Sequence, residues 1–282
     1  MVIAKKRKHP VLYELNTHIL LQRYVHINKS VTLMDIPETY WCQFKDQGID
    51  HIWLMGIWQT AEAARKKYCF TKALMSEYSR SVPGWDHGDV IGSPFAIDTY
   101  TIHQRAGTEE DIYRLREILN NQGLKLILDF VPNHYSACSR LTGEIPDMFL
   151  QGDDKDMTHF PGIFYRPEHS SHIFAHGRDP YFDPWQDTVQ VNIWHKQARE
   201  IQIKTLLHIA SLCDGVRCDM AMLLLNDIFF NTWKDFLIKR EITQPEKEFW
   251  KHAIKEVKKN YHNFLFIAET YWDTGWRLQQ MG

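Results

Sequence analysis

Residues 124–134 read LKLILDFVPNH, and this stretch decides the fold prediction. Its first part is a short apolar run, typical of a strand that is buried on both faces of a parallel sheet. The run stops at Asp129, and the polar residues Asn133 and His134 follow within five positions. In α/β proteins, functional groups lie at the carboxyl ends of such strands, so these side chains are candidate site residues.

A helix is predicted directly before this strand. Thr108 is a suitable N-cap, and Asp111 three residues later can complete a capping box. Gly123 is a suitable C-terminal stop. The helix has one apolar face that can pack on the sheet, formed by Ile112, Leu115 and Leu119.

The alternation of apolar strands and amphipathic helices continues along the chain. Strands are predicted over residues 11–15, 51–55, 124–129, 215–219 and 264–268. Further helices are predicted over 37–47, 195–212 and 245–261, whereas residues 60–101 form a long polar excursion. This alternation predicts a parallel sheet, which can be either an open doubly wound sheet or a closed barrel.

The packing face of the helix over 195–212 is ambiguous from sequence alone. One candidate row contains Ile201, Thr205 and His208, and the neighbouring row contains Leu206 and Ile209. Both rows have helical spacing, so both remain open at this point.

Composition excludes several classes of protein. The 282 residues are 44% hydrophobic, and the charges nearly cancel, with 33 Lys and Arg against 35 Asp and Glu. We therefore expect a globular enzyme-sized chain with no nucleic acid partner. No apolar run reaches the length of a membrane helix, so no membrane association is predicted. The five cysteines lack C-x-x-C spacing and no signal peptide is evident, which predicts reduced thiols and a cytoplasmic location.

Three of the predicted strands end in ionisable side chains: Asp129, then Arg217 with Asp219, then Glu269. A single strand-end acid is often a helix cap or a turn former, but three consecutive strands favour an active site. Two carboxylates that face one cleft can cleave a glycosidic bond. Arg217 lies two residues before Asp219 and therefore on the same face, where a guanidinium would keep Asp219 charged and oriented.

Four segments resemble glycoside hydrolase family 13, the α-amylase and α-glucosidase family of (β/α)8 barrels. They are DFVPNH at 129–134, GVRCD at 215–219, FIAE at 266–269 and GSPFAIDTY at 92–100. The order and spacing of these segments match the family from about residue 11 onward. The resemblance implies an α/β fold, a TIM barrel with a small inserted domain after the third strand.

The resemblance also implies roles for the strand-end residues. Asp219 would be the nucleophile of a retaining double displacement on α-linked glucosides, and Glu269 would be the general acid/base. Arg217 would position Asp219, His134 would bind substrate hydroxyls, and Asp129 would order the site. The implied substrate is a small glucoside or an oligosaccharide, and no cofactor is required.

Several positions depart from the usual family pattern. Phe95 stands where most members place a tyrosine beneath the sugar, so stacking is kept and the hydroxyl is lost. Asn133 matches a calcium ligand of many members, but Gln190 stands where an acid is common near that site, so calcium is possible rather than expected. Met222 and Leu223 replace the Lys and His of many starch-cleaving members, which predicts an apolar acceptor side.

The resemblance divides the chain into residues 1–134 and 193–282, which form the barrel, and 135–192, which form the insert. The 282 residues contain only about five of the eight barrel strands. In the family a third carboxylate follows the seventh strand, so its counterpart would lie outside these residues. We therefore expect the front part of a longer enzyme or the product of a truncated gene. A missing C-terminal half or a partner chain would complete the barrel, and the 282 residues alone would have little or no activity.

Two other functions remain open at this stage. The first is a catalytically silent amylase-like protein that acts as a binding or scaffold module. The second is a transglycosylase of the same family, in which a sugar replaces water as the acceptor. Retention of Asp219, Arg217 and Glu269 favours an enzyme over a silent relative.

Overall fold

The computed structural model describes residues 8–25, 30–168 and 170–282. Its strands, in chain order, are β1 (Leu12–Asn16), β2 (His51–Met55), β3 (Trp58–Thr60), β4 (Ile97–Ile102), β5 (Lys125–Phe130), β6 (His134–Ser136), β7 (Gln151–Gly152), β8 (Phe164–Tyr165), β9 (Ile173–Ala175), β10 (Thr188–Gln190), β11 (Gly215–Cys218) and β12 (Leu265–Ala268).

The helices are α1 (Thr17–Gln22), α2 (Glu38–Asp46), α3 (Glu62–Tyr68), α4 (Lys72–Ser81), α5 (Glu109–Asn121), α6 (Leu141–Glu144), α7 (Asp154–His159), α8 (Lys196–Leu212), α9 (Asn226–Lys239), α10 (Phe249–Asn260) and α11 (Gly275–Gln279). Short 3₁₀ helices cover Leu33–Asp35, Pro146–Met148 and Ala221–Leu224. Within the described residues, no helix combines the length and apolar character needed to cross a bilayer.

Five strands form one parallel sheet in the order β1-β2-β5-β11-β12. Neighbours in space are therefore successive strands of the strand–helix alternation, as in the first five strands of a TIM barrel. The predicted fold, an incomplete (β/α)8 barrel with an insert after its third strand, is confirmed. The outer strands β1 and β12 each keep one edge that no strand in the described chain pairs.

The centre of the sheet is buried on both faces. All residues of β5 after Lys125 are buried, and α8 and α10 pack against each other on the outside. In α8 the row that contains Leu206 and Ile209 is buried, which resolves the ambiguity left by the sequence. Gly215 lets β11 approach β12 closely, because a Cβ there would lie 2.6 Å from the main-chain oxygen of Leu265.

The insert between β5 and α8 contains two small antiparallel sheets. Strands β6 and β10 pair with each other and join the two ends of the insert at the top of the barrel. Strands β7, β9 and β8 form the second sheet. The domain limits at 134/135 and 192/193 stay a prediction.

Candidate active site

The candidate site lies at the carboxyl ends of β5, β11 and β12. Arg217 on β11 is directly opposite Asp129 on β5 and Ile267 on β12 in the strand register. Asp219 and Glu269 follow β11 and β12, and their backbone N–H groups continue the parallel ladders to Phe130 and Cys218. The sheet therefore delivers these charged side chains to one edge, as the sequence predicts.

Arg217 binds two carboxylates of the candidate site, those of Asp219 and Glu269. Its Nη1 donates to Asp219 Oδ1 at 2.6 Å, and its Nη2 lies 2.7 Å from Glu269 Oε2. The guanidinium also contacts two aromatic rings, with its Cζ 5.1 Å from the ring centroids of both Trp53 and Phe95. This stacking and the two ion pairs fix the guanidinium with 12% of the side chain exposed.

Asp219 is buried, and burial has the largest effect on the pKa of its carboxyl group. Burial raises the pKa of Asp219 to about 7, although the Arg217 guanidinium opposes this rise and the Glu269 carboxylate adds to it. His134 Nε2 lies 4.0 Å from Asp219 Oδ2. Because Arg217 binds Oδ1, the other oxygen of Asp219 is the one that faces His134.

Glu269 accepts hydrogen bonds on both of its oxygens. The main-chain N–H of Met220 donates to Oε2 at 2.9 Å, and the Tyr271 hydroxyl donates to Oε1 at 3.0 Å. Met220 adopts a left-handed conformation with φ of 42°, which turns the chain sharply after Asp219. Such a conformation is uncommon for a residue other than glycine, asparagine or aspartate, and it is typical of functional sites.

Asp129 is fully buried and lies beside the other carboxylates without bonding to Arg217. Its Oδ1 accepts from Trp53 Nε1 at 2.9 Å, and its Oδ2 accepts from the Gly56 N–H at 2.7 Å. Burial raises the pKa of Asp129 to about 7, and these two donors only partly oppose the rise. Gly56 has a φ of +76°, a conformation that glycine adopts readily.

His134 is buried against Trp185 of the insert, with the two ring centroids 5.1 Å apart. Burial lowers the pKa of His134 to about 4, so the imidazole is neutral near pH 7. A neutral imidazole has one N–H donor and one acceptor nitrogen, and a main-chain hydrogen bond to Phe95 uses one of the two. The other nitrogen can bind a substrate hydroxyl.

Met222 and Leu223 do not line an open cleft. Both side chains are buried, with 0% and 2% of their surface exposed, within the 3₁₀ helix Ala221–Leu224. The expectation that they make the acceptor side apolar is therefore corrected. Replacing Lys and His by apolar residues at these positions fills the core behind the site.

Asn133 and its surroundings do not fit a calcium ion. Its side-chain oxygen accepts from Gln190 Nε2 at 3.0 Å, so an N–H group already faces the expected ligand atom. Calcium sites offer six to eight oxygens at about 2.3–2.6 Å, usually with carboxylates among them. Over the described ranges 8–25, 30–168 and 170–282, no group of three or more His, Cys, Asp or Glu side chains could hold a metal.

Sequence reasoning missed four partners of the candidate residues: Trp53, Gly56, Met220 and Tyr271. Trp53 could have been found from strand alternation, because it lies on β2 beside β5. Tyr271 follows Glu269 by two residues and could have been found in the same way. The Met220 N–H carries no side-chain signal at all, since only the left-handed turn directs it at Glu269.

Comparisons with known proteins agree with this geometry. A family described as the catalytic domain of α-amylase matches residues 44–280. Among solved structures, an α-amylase from Lactobacillus plantarum has a TM-score of 0.60 at 23% identity, covering 97% of this chain and 48% of that chain. A maltogenic α-amylase from Thermotoga neapolitana has a TM-score of 0.59 at 21% identity, covering 95% and 47%.

A trehalose-6-phosphate hydrolase from Bacillus licheniformis has a TM-score of 0.64 at 18% identity, covering 93% of this chain and 44% of that chain. At these identities the structural matches show the fold alone, and this chain spans about half the length of each of these structures. The family match extends over most of the sequence and includes β2, β5, β11 and β12 with their strand-end residues. The chain thus belongs to the α-amylase family of glycoside hydrolases.

Proposed function

We propose that this site belongs to a retaining α-glycoside hydrolase that acts on α-linked glucosides. In a retaining mechanism one carboxylate attacks the anomeric carbon, and the other protonates the leaving oxygen and later activates water. We assign the first role to Asp219 and the second to Glu269. The observation that carries the proposal is the single Arg217 guanidinium bound to both carboxylates, at 2.6 and 2.7 Å.

The arrangement around Arg217 supports a close pair of carboxylates. Inverting enzymes leave room for a water molecule between the two groups, whereas retaining enzymes bring them within about 5–5.5 Å. The Arg217 guanidinium binds one oxygen of Asp219 and one of Glu269, so it keeps the two carboxylates near one another. Arg217 also offsets part of the cost of an ionised Asp219, which the nucleophile requires.

Glu269 must exchange one hydrogen bond to act as a proton donor. Three donors occupy its oxygens, and two of them, Arg217 and the Met220 N–H, are fixed by the strands and the turn. The third donor is the hydroxyl of Tyr271, a side chain that is 51% exposed. Rotation of Tyr271 would free Glu269 Oε1 to take up a proton from water, which it can then donate to the glycosidic oxygen.

We propose that the site is completed by a further carboxylate, in addition to Asp129, Asp219 and Glu269, from outside these five strands. At the free edge of β12, a cavity of about 540 Å³ is lined partly by Phe266 and Ile267. At the opposite edge, Leu12 and Tyr13 of β1 are exposed. An exposed apolar sheet edge is prone to pair with another strand. We propose that further barrel strands, on the same protein or on a partner, cover both edges and supply that carboxylate.

A transglycosylase is the second candidate, favoured by exposed aromatic rings of the insert that contact the segment following Glu269. Tyr181 and Phe182 of the insert are 68% and 70% exposed. The Tyr181 ring lies 4.9 Å from that of Trp272, which directly follows Tyr271. Aromatic faces of this kind can hold a sugar that competes with water as the acceptor.

The test compares the wild-type chain with Asp219→Asn and with Asp227→Asn, an exposed carboxylate that pairs with Arg277. The substrates are p-nitrophenyl α-glucoside and maltotriose, with products separated to detect transfer. We expect very slow turnover by residues 1–282 and clear turnover by a protein that also carries the remaining barrel strands. In both, Asp219→Asn should abolish turnover and Asp227→Asn should not.

Other outcomes are informative in different ways. Fast turnover by residues 1–282 would contradict the need for a further carboxylate. Turnover that survives Asp219→Asn would contradict the catalytic assignment. A complete barrel without turnover, whose affinity for maltotriose is unchanged by Asp219→Asn, would identify a silent binding protein.

A further inference from the structure

The junction between the insert and the barrel contains a buried cluster of polar groups. Strands β6 and β10 meet here, with Gln190 directly opposite His134 in the register. Gln190 and Asn133 are only 1% and 2% exposed. Buried polar groups need partners, so the contacts of this cluster decide how the insert is held.

One nitrogen atom lies at the centre of the cluster. Gln190 Nε2 is 2.9 Å from the main-chain oxygen of Asn133, 3.0 Å from Asn133 Oδ1 and 3.1 Å from the main-chain oxygen of Val191. An amide nitrogen has two hydrogens, so two of the three oxygens share one of them. With the amide turned over, an oxygen would face three oxygens with no hydrogen between them, so the nitrogen is the atom that faces inward.

We infer that the side-chain amide of Gln190 gathers these three oxygens in place of a cation, so that the insert is joined to the barrel independently of calcium. The distances are those of N–H···O bonds and exceed calcium–oxygen distances, which are about 2.3–2.6 Å. The three oxygens are neutral carbonyl oxygens. Calcium affinity rises with the number of charged ligands, and this cluster offers none.

The same amide supports the candidate active site. Asn133 Nδ2 lies 3.4 Å from Nδ1 of the adjacent His134, and the other nitrogen of that ring lies 4.0 Å from Asp219. Gln190 therefore orders the segment that places His134 beside the candidate nucleophile. The inference depends only on the contacts of Gln190 at this junction, and it does not require the proposed hydrolase activity.

Thermal unfolding and metal content of the wild-type chain give the first test. The purified chain is dialysed against EGTA, its calcium is measured by mass spectrometry, and its Tm is compared in EGTA and in excess calcium chloride. We expect no retained calcium and the same Tm in both buffers. About one calcium per chain, or a Tm that falls in EGTA, would overturn the inference.

Gln190→Glu gives the second test, because it replaces the N–H donor by a carboxylate that faces three oxygens. In EGTA we expect its Tm to fall by about 5 °C or more, and calcium should restore it and bind at one ion per chain. Gln190→Met should also lower the Tm, but without any response to calcium. Gln43→Glu, an added charge at an exposed glutamine of α2, should leave both the Tm and the calcium response unchanged.

A Gln190→Glu protein that folds but does not bind calcium would show that the oxygens form no cation-like cage, and it would overturn the inference. If Gln190→Glu fails to fold even in calcium, the wild-type melt and the Gln190→Met melt decide. A calcium response in either of those two proteins would overturn the inference.

Discussion

Replacing Arg217 by methionine should destabilise the protein strongly, because Asp219 would then be a buried carboxylate without a partner. Removing one partner of a buried ion pair costs about 3–5 kcal/mol. Arg217 also loses its contacts with the rings of Trp53 and Phe95, which are worth about 1–2 kcal/mol together. The expected loss of unfolding free energy at pH 8 is therefore about 4–7 kcal/mol.

This loss should depend on pH. Burial raises the pKa of Asp219 to about 7, so its carboxyl is largely protonated at pH 5.5 and ionised at pH 8. At the lower pH, Arg217 no longer compensates a buried negative charge on Asp219. Because Arg217 lowers the pKa of Asp219, its removal raises that pKa further, and the loss caused by Arg217→Met should be about 1.4 kcal/mol smaller at pH 5.5 than at pH 8.

Urea unfolding followed by tryptophan fluorescence at both pH values measures these differences. The matched control is Arg277→Met, because Arg277 makes two hydrogen bonds to Asp227 at 2.7 and 2.9 Å on the surface. Exposed pairs contribute about 0–1 kcal/mol, and this one should show no pH dependence between 5.5 and 8. Equal losses in the two variants at pH 8 would refute the reasoning.

Three other positions allow further tests of the structure. Burial raises the pKa of Asp129 to about 7, so its contribution to stability is full below about pH 4 and is lost as the pH rises through 7. Between pH 4 and pH 7, Asp129→Asn should make the free energy of unfolding decline less steeply, by about 1.4 kcal/mol per pH unit. Urea unfolding measures this slope, and an unchanged slope would contradict the raised pKa of Asp129. Thr108→Ala should cost about 1 kcal/mol, because Thr108 and Asp111 form a reciprocal capping box at α5, and a helix content or stability equal to the wild type would count against it. Gly56→Ala should lower the Tm by about 2 °C or more, because φ there is +76° and a Cβ would lie 3.0 Å from Pro94 Cβ. Gly84→Ala is the control: its φ is similar but its surroundings are open, so it should lower the Tm less.

Much of the barrel could be predicted because its elements carry strong local signals. β2 coincides with the apolar run predicted over 51–55, and the capping box at Thr108 and Asp111 forms as expected. The strand-end residues Arg217, Asp219 and Glu269 could be grouped because parallel strands place their carboxyl ends together.

Other elements were missed for identifiable reasons. The polar excursion over 60–101 contains α3 and α4. The apolar positions of α4 are few and none of its residues is buried, so the segment resembles a polar loop in sequence. The helix α9 was also missed, although Phe229, Trp233 and Phe236 are buried at helical spacing and could have revealed it. The hydrogen bonds of Gln190 could not be predicted, because they depend on the loop between β6 and β10 returning to Asn133.

Covalent labelling with 5-fluoro-α-D-glucosyl fluoride tests directly whether Asp219 is the nucleophile. Fluoride departs without a proton from Glu269, so a single transfer to the nucleophile can be followed over hours even where turnover of natural glucosides is slow. Intact mass and peptide mapping identify the modified residue. In a protein that also carries the remaining barrel strands, we expect one 5-fluoroglucosyl adduct per chain on the peptide that carries Asp219, and none in Asp219→Asn. An adduct on another residue, or no adduct after a day with a complete α-glucosidase labelled in parallel, would contradict the assignment of Asp219 as the nucleophile.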